Sequence, residues 1–249
     1  MSLSQIKLER YSRQIVLPQI GKDGQEKLLF SKVIVVGVGG LGALVSLYLA
    51  EAGIGVLGIV DNDNVELDNL NRQVLYFEED IGKLKVEIAK KKLQKINSEI
   101  KVISHHLRLD KNNILEIIKD YDIIVDCTDN FDSRFLINDA CVANKKTLVH
   151  GAVLGFEGQV TSIVPGKSPC YRCLFDKEPP QGTISSCREA GVTGAVAGIV
   201  ASIQSAEALK LILNIGTPLI GELLTFDALA MSFRKVKIPK NPNCPACSI

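Results

Sequence analysis

A glycine-rich turn near the N-terminus constrains the fold of this 249-residue chain more than any other segment. The β-branched run Lys32–Val36 predicts a buried strand, and residues 37–42 follow it with the pattern G-x-G-x-x-G. Residues 41–52 have the period of a helix, and Val56–Val60 predicts a second strand. This order is a βαβ unit, in which the helix N-terminus offers backbone N–H groups to a phosphate. The sequence therefore predicts an α/β fold that binds a nucleotide.

Strands and helices continue to alternate up to about residue 150, after which the pattern changes. Further helices are predicted at residues 83–96, 113–119, 131–144 and 193–213, and further strands at 102–107, 123–126, 160–164, 223–226 and 231–238. We therefore predict a Rossmann-like, doubly wound and mostly parallel sheet that continues into a mixed or antiparallel C-terminal part. Residues 1–249 form a single domain in this prediction, with a helical arm (1–30), a nucleotide-binding half (31–150) and a second half (151–249).

Charge and hydropathy exclude several classes of protein. The chain has 29 basic and 28 acidic residues, and a net charge of +1 is too small to hold a polyanion, so no nucleic-acid partner is predicted. The first residues carry scattered charges, and the longest apolar run, 195–203, is far shorter than the roughly 18 residues that span a bilayer. We therefore expect no membrane association and a cytoplasmic location. Gly194 and Gly198 are expected to allow close packing within the fold, because the segment is too short to span a membrane.

The glycine turn alone does not separate a dinucleotide from ATP. Asp61 ends the second strand, where a carboxylate can accept both ribose hydroxyls. A triphosphate brings about four negative charges and calls for cations and a metal-binding carboxylate. Arg72, Lys85 and Asp129 follow strand ends and supply this set, which indicates ATP with Mg²⁺. Each has a structural alternative: a surface ion pair for Arg72, a solvent-facing lysine for Lys85 and a helix N-cap for Asp129.

Four of the seven cysteines form two C-x-x-C pairs, Cys170 with Cys173 and Cys244 with Cys247. Two such pairs supply the four thiolates of a tetrahedral Zn²⁺ site. A redox role is the main alternative, but a redox-active C-x-x-C motif is a single pair at a helix start, whereas these pairs lie in irregular segments. Because four sulfur ligands leave no position for water or substrate, we predict structural zinc that fixes the C-terminus.

The other three cysteines differ in their surroundings. Cys127 ends a predicted strand and Cys141 lies in a predicted helix, so both are expected to be small core residues. Cys187 lies in the polar, proline-containing segment 175–191, which predicts an exposed loop. The neighbouring Arg188 favours the thiolate form of Cys187, although a cysteine beside a cation can also have no role.

Together these motifs resemble the ThiF/MoeB/HesA family of adenylyltransferases, the bacterial and archaeal relatives of ubiquitin-activating enzymes. The resemblance covers nearly the whole chain. The matching segments are residues 10–14, 37–42, 69–73, 127–130, 158–159, 170–173, Cys187 with 189–192, and 244–247. The number of motifs and their common order make a chance match remote.

The resemblance implies an activity. Members of this family use ATP to adenylate the C-terminal Gly-Gly carboxylate of a small ubiquitin-like sulfur carrier of the ThiS or MoaD type, with release of pyrophosphate, for thiamine or molybdopterin biosynthesis. By this resemblance the chain is a homodimeric adenylyltransferase that uses ATP and Mg²⁺, and residues 151–249 bind the carrier. Longer relatives carry a sulfurtransferase domain, so a separate protein, a sulfurtransferase or a cysteine desulfurase, is expected to donate sulfur here.

The resemblance also implies roles for individual residues. Arg13 reaches the nucleotide of the neighbouring subunit, Asp61 holds the ribose and Asp129 holds the magnesium ion. Cys187 is a possible site of sulfur transfer. Three further residues are assigned to the phosphates of the nucleotide: Asn69, Arg72 and Lys85. The resemblance also assigns these residues to the nucleotide: Gly37, Gly39, Gly40, Gly42, Asp63 and Asn130.

Two other functions stay open at this level. The glycine turn and Asp61 also suit an NAD-dependent oxidoreductase, although no second domain supplies a general acid and the predicted phosphate and magnesium ligands then lack a role. A non-catalytic module that binds ubiquitin-like proteins is the second alternative. His150, Phe156 or the loop from Phe175 is expected to determine the choice of partner.

Overall fold

The computed structural model describes residues 3–177 and 191–248 of the chain. Within them, eight strands form one sheet in the order β3-β2-β1-β4-β5-β6-β7-β8. The strands are β1 (Lys32–Val36), β2 (Val56–Val60), β3 (Lys101–His105), β4 (Ile123–Asp126), β5 (Thr147–Leu154), β6 (Glu157–Ile163), β7 (Glu222–Asp227) and β8 (Ser232–Lys237). Strands β1 to β5 are parallel, and β6, β7 and β8 continue the sheet antiparallel. The predicted parallel half and its antiparallel continuation are both confirmed.

Helices precede the sheet and then cover both of its faces. In the described ranges they are α1 (Gln5–Arg10), α2 (Ser12–Ile15), α3 (Gly21–Phe30), α4 (Gly40–Ala52), α5 (Lys85–Ile96), α6 (Ile114–Ile118), α7 (Phe131–Ala143), α8 (Tyr171–Leu174) and α9 (Gly194–Leu213). The first three lie within residues 1–30. Each helix and strand that the sequence predicts is present, with its ends displaced by at most three residues.

The central strand β5 is absent from the sequence-based prediction. Its apolar residues are interrupted by His150 and Gly151, which weaken the local pattern of a strand. Both are nevertheless suited to their neighbours: His150 bonds to Asp126 of β4, and a Cβ on Gly151 would lie 2.2 Å from the side chain of Gln204. Tertiary contacts therefore select this strand.

Two apolar clusters hold the helices to the sheet. One joins α4, α5 and α9 to one face, and the other joins α6, α7 and α8 to the opposite face. Helices on both faces leave the carboxyl ends of the parallel strands open. Strand β1 lies between β2 and β4, and the order of the strands reverses at this point. Ligands of doubly wound folds bind at such a switch point.

Helix α9 corrects one argument made from the sequence. Its 20 residues have a mean hydropathy of 1.5 and are long and apolar enough to cross a membrane, so the expectation that this segment is too short is wrong. Half of the helix is buried inside the fold. Its polar residues have internal partners: Gln204 donates to the carbonyl of Asp126, and Glu207 accepts from Ser162 and Leu219. The helix is therefore a core element of this fold.

Candidate active site

A cavity of about 390 Å³ lies at the carboxyl ends of β1, β2 and β4. This is the switch point of the sheet. Nine of the residues that sequence analysis assigns to the nucleotide line it: Gly37, Gly39, Gly40, Asp61, Asp63, Arg72, Lys85, Asp129 and Asn130. Residues that are up to 93 positions apart, from Gly37 to Asn130, are thus brought to one site.

The glycine turn forms one wall of this cavity at the start of α4. Gly37 has a φ of +85°, in the left-handed region. A Cβ on Gly42 would lie 1.7 Å from the carbonyl oxygen of Gly37, so only glycine lets the helix pack under the turn. Gly42 itself lies outside the lining, and its role is this close approach. Because the first N–H groups of a helix have no helical acceptors, the turn offers donors and a positive dipole end to an anion.

Two backbone N–H groups orient the carboxylate of Asp61. Val38 donates to Oδ2 at 2.8 Å, and Asp63 donates to Oδ1 at 2.9 Å. Burial raises the pKa of Asp61, while the Val38 hydrogen bond and the charge of Lys85 act in the opposite direction. Each carboxylate oxygen retains further acceptor capacity. The two hydrogen bonds fix the orientation of the carboxylate, and its role as the ribose ligand stays a prediction.

Lys85 is the first residue of α5, and its side chain is buried in the cavity wall. Its ammonium group lies 3.1 Å from Oδ2 of Asp63, a carboxylate that is largely exposed. Since Lys85 is only 5% exposed, the alternative of a solvent-facing lysine is wrong. A buried ammonium group attracts an anion more strongly than one in bulk water.

Arg72 lies against the glycine turn. A Cβ on Gly40 would lie 3.5 Å from Cγ of Arg72, and a Cβ on Gly194 would lie 2.9 Å from the carbonyl oxygen of Asn71. The guanidinium donates to the carbonyl of Asp68 at 2.7 Å and to Oδ1 of Asn71 at 3.0 Å. Among the described residues no carboxylate forms an ion pair with Arg72, so the alternative of a surface salt bridge is wrong. Gly194 thus allows the predicted close approach, whereas Gly198 has only an ordinary contact.

Asn69 and Gln73 differ from what the sequence suggests. Asn69 is buried outside the cavity lining, where its side chain accepts from the N–H of Glu66 and donates to Asp68. Gln73 does line the cavity, and its buried Oε1 atom has no hydrogen-bond partner in the described part of the chain. Gln73 is a neutral amide and is therefore not among the charged residues predicted to bind phosphate, although its position in the 69–73 motif was a usable signal.

The turn after β4 carries Asp129 and Asn130 into the cavity wall. Oδ1 of Asn130 accepts from the N–H of Ser133 at 2.9 Å and caps α7, so the alternative of Asp129 as the cap is wrong. Asp129 is exposed, and its Oδ1 accepts from the amide of Asn130 at 3.3 Å. Its carboxylate therefore keeps free acceptor sites for a cation such as Mg²⁺, which prefers oxygen ligands.

A buried polar network lies behind this turn. His150 bonds to Oδ2 of Asp126 at 2.8 Å, and Thr128 donates to Oδ1 through both its N–H and its hydroxyl. Burial acts to raise the pKa of Asp126, but His150 and Arg134 outweigh it and hold that pKa below its usual value. His150 is 1% exposed, so it cannot contact a partner, and the expectation that it does is wrong.

Three predicted residues lie elsewhere. Arg13 is exposed on α2 and does not line the cavity of its own chain. Phe156 is exposed between β5 and β6, where a partner can reach it. Cys187 lies outside the described residues, as does most of the predicted loop.

The four cysteines of the C-x-x-C pairs come together. All four sulfurs lie within 4.8 Å of one another, with Cys170 3.5 Å from Cys244 and Cys173 3.4 Å from Cys247. Four thiolates about 2.3 Å from a central zinc ion have their sulfurs about 3.8 Å apart, so this cluster fits Zn²⁺. The short helix α8 positions Cys170, its N-cap residue, and Cys173. The C-terminal segment positions Cys244 and Cys247.

The thiols differ in how readily they ionise. Burial would raise the pKa of Cys244, but backbone N–H groups of Cys247 and Ala246 lower it to about 7. Burial raises the pKa of Cys170 above its usual value. Burial also raises the pKa of Cys247 to about 11. A bound cation would favour all four thiolates. The remaining described cysteines, Cys127 and Cys141, are buried with raised pKa values, as expected of core residues.

Helix α7 connects the cysteine cluster to the cavity. Asn138 accepts from the N–H of Tyr171 at 2.8 Å, and Asp139 receives two bonds of 2.7 Å from Arg172. The same helix begins beside Asn130 in the cavity wall. The two sites therefore share one rigid element.

This fold, with a glycine turn at a helix N-terminus and a cation-lined cavity at the switch point, defines a nucleotide-binding α/β protein of the Rossmann-like type. Residues 11–246 match the ThiF family, and the chain belongs to that family.

Several relatives are similar over most of this chain. It is 50% identical to "Sulfur carrier protein adenylyltransferase" of Thermus thermophilus, covering 96% of this chain and 90% of that protein. It is 45% identical to "SAMP-activating enzyme E1" of Haloferax volcanii, covering 99% and 91%. It is 47% identical to "Adenylyltransferase and sulfurtransferase MOCS3" of Aedes aegypti, of which it spans 56%. Among solved structures, MccB of E. coli with ATP superposes with a TM-score of 0.84 at 28% identity, covering 96% of this chain and 75% of that one.

Proposed function

We propose that this chain is an adenylyltransferase that transfers AMP from ATP to the C-terminal carboxylate of a small ubiquitin-like sulfur carrier. The observation that carries the proposal is the convergence of the glycine turn, Arg72, Lys85 and Asp129 on one cavity. The relatives whose names include adenylyltransferase support the reaction, and their similarity extends over nearly the whole chain.

The reaction joins two negatively charged groups. A carboxylate oxygen of the carrier bonds to the α-phosphorus, the bond from that phosphorus to the bridging oxygen breaks, and its electron pair leaves with pyrophosphate. The barrier is mainly electrostatic, because like charges must approach. In our proposal Arg72 and Lys85 neutralise phosphate oxygens, and Asp61 fixes the ribose. Asp129 would hold Mg²⁺, which supplies further positive charge to the phosphates.

A second copy of the chain is proposed to complete the site. Arg13 carries an exposed guanidinium that its own cavity does not use. In a homodimer it would reach the nucleotide of the neighbouring subunit and add a cation there. Arg13→Ala is then expected to lose activity that a mixed dimer with an Arg72→Ala subunit partly restores.

The C-terminal half is proposed to bind the carrier. Strand β8 ends the sheet of described residues, all of its side chains are exposed, and apolar Met231, Phe233 and Val236 lie in or beside it. An exposed edge strand with apolar side chains can pair with a strand of a partner. A ubiquitin-like carrier offers such a sheet.

Phe233→Asp tests this surface. We expect it to raise the KM for the carrier about tenfold while ATP binding is unchanged, because a central aromatic residue often dominates an interface. Phe30→Asp, at an exposed phenylalanine among the first 30 residues, is the control; Phe30 is 69% exposed and Phe233 is 55% exposed. Equal effects of the two changes would refute the assignment.

Carrier-dependent exchange of radiolabelled pyrophosphate into ATP tests the proposed reaction directly. Purified protein with Mg²⁺ and carriers of the thiamine and molybdopterin types is expected to catalyse exchange with one of them. A carrier that lacks its last glycine is the control. Binding of a nicotinamide dinucleotide without ATP binding, or carrier binding without exchange, would contradict the proposal in favour of the oxidoreductase or the non-catalytic module.

The cysteine cluster is proposed to hold structural zinc. The sulfur geometry leaves no open ligand position, so the metal would tie the C-terminal segment to α8 without taking part in the reaction. Sulfur transfer by Cys187, a separate sulfur donor and a cytoplasmic location stay predictions.

A further inference from the structure

We propose that Arg134 forms an oxyanion-binding subsite in the nucleotide cavity, and the inference rests on the proposed function only for the identity of the oxyanion. Arg134 lies one turn into α7 and lines the cavity together with Thr128, Asp129 and Ser133. Arg134 belongs to none of the motifs that predict the nucleotide site.

The side chain of Arg134 is buried without a contact ion pair. It is 8% exposed, and no carboxylate of the described chain lies within ion-pair distance of its guanidinium. One N–H group donates to the carbonyl of Thr128 at 3.1 Å, while Nε is buried with no hydrogen-bond partner among described residues. Its other neighbours, the ring of Phe131 and the phenol of Tyr171, are uncharged. The cation thus has donor capacity that the fold does not use.

Asp126 is the carboxylate whose charge interacts with Arg134, and both of its oxygens already accept hydrogen bonds from other groups. Oδ2 bonds to His150, and Oδ1 accepts twice from Thr128. Arg134 therefore interacts with Asp126 only through space. Arg172 provides a contrast on the same face of the fold, because it forms two bonds to the carboxylate of Asp139.

The guanidinium of Arg134 stays charged although it is buried, because arginine does not lose its proton in proteins. A buried charge without a direct partner destabilises a fold, and an anion that enters the cavity would relieve this cost. A guanidinium group binds a carboxylate or a phosphate through paired N–H···O hydrogen bonds to two of its oxygens. The two oxyanions of the proposed reaction are a phosphate of ATP and the C-terminal carboxylate of the carrier, and either suits the subsite.

Two variants of the full chain separate charge from structure. Arg134→Gln removes the charge but keeps a donor for the carbonyl of Thr128, whereas Arg134→Lys keeps the charge. Arg10→Gln is the matched control, because Arg10 also donates to a backbone carbonyl, that of Ile96 at 3.0 Å, but lies outside the cavity. Calorimetric titrations would use ATP, inorganic pyrophosphate and a carrier-tail peptide ending in Gly-Gly, with a free carboxylate or as its amide.

We expect Arg134→Gln to weaken binding of at least one oxyanion about tenfold or more, Arg134→Lys to retain most of the affinity, and Arg10→Gln to match the wild type. Loss with ATP or pyrophosphate identifies a phosphate as the ligand. Loss with the free-carboxylate peptide, but not with its amide, identifies the carrier. Wild-type affinity of Arg134→Gln for every probe would overturn the proposal, as would equal losses in the Gln and Lys variants. If pyrophosphate binds through Arg134 but ATP does not bind at all, the subsite stands and the proposed function fails.

Discussion

The nucleotide cavity and the cysteine cluster satisfy their polar groups in opposite ways. In the cavity, Arg72 and Arg134 have no described ion-pair partner, and Oε1 of Gln73 has no hydrogen bond from a described residue. In the cluster, four sulfurs face one another and form a complete ligand set. A ligand that comes and goes needs groups that the fold leaves unused, whereas a resident metal needs a closed set. With the proposed function, this difference means that the cavity serves turnover and the cysteine cluster serves stability.

Removal of the proposed zinc should have the largest effect and should act on stability. Structural zinc contributes on the order of 10 kcal/mol in small domains, and even about a third of that would lower the Tm of a chain of this size by about 10 °C. Cys244→Ser is expected to abolish bound zinc, measured by atomic spectroscopy, and to lower the Tm by that amount. Cys141→Ala, at a buried cysteine outside the cluster, should keep one zinc per chain. Zinc-free wild-type protein with an unchanged Tm would contradict the structural role.

Removal of a positively charged side chain from the cavity should lower activity and leave stability nearly unchanged. Arg72→Ala is expected to reduce pyrophosphate exchange about 10²-fold or more, the scale for one charge-stabilising donor. Its Tm should stay within about 2 °C of wild type, because its two bonds are to exposed groups of the same turn. Arg10→Ala serves as the control. Exchange within threefold of the wild type would refute a phosphate role for Arg72.

The sequence predicts those parts of the two regions that depend on residues close together in the chain, and it does not predict those that depend on contacts between distant residues. The glycine turn and the C-x-x-C pairs are local patterns, and they predict the cavity wall and the metal cluster before any contact is known. The placement of Arg134 and β5 depends on contacts between distant segments, which no local pattern contains. His150 shows the same limit, because its burial against Asp126 of the neighbouring strand is invisible in its own segment.

Asp80, outside the cavity, and Asp61, in the cavity, are expected to change the stability of the fold with pH in opposite directions. Burial acts to raise the pKa of Asp80, but Lys92 and the N–H of Phe77 outweigh it and lower that pKa, so Asp80 stabilises the fold above about pH 4 and loses this effect as pH falls. The pKa of Asp61 in the cavity is raised, chiefly by burial. Its contribution is therefore largest at low pH and is lost as pH rises from about 4 through the folded-state pKa.

Urea denaturation of the wild type, Asp80→Asn and Asp61→Asn between about pH 3.5 and 7 would measure both contributions. The loss of unfolding free energy caused by Asp80→Asn should grow as pH rises, because the wild type gains its ion pairs with Lys92 and Lys83. The loss caused by Asp61→Asn should shrink over the same range. Parallel slopes in the two variants would show that Asp61 has no conflict with the fold, and the contrast between functional and structural groups would then not extend to it.

The smallest effect is expected at Gly198 in α9. A Cβ at this position would meet only Cδ1 of Leu44 at 3.6 Å, an ordinary contact, whereas one at Gly42 would lie 1.7 Å from a carbonyl oxygen. Because alanine favours a helix interior over glycine, Gly198→Ala should raise the unfolding free energy by about 0.5–1 kcal/mol and leave exchange unchanged. Gly42→Ala should instead impair ATP binding and stability together, because it displaces the turn. If Gly198→Ala also impaired exchange, position 198 would belong to the nucleotide site, as the cavity-lining Ala197 beside it does.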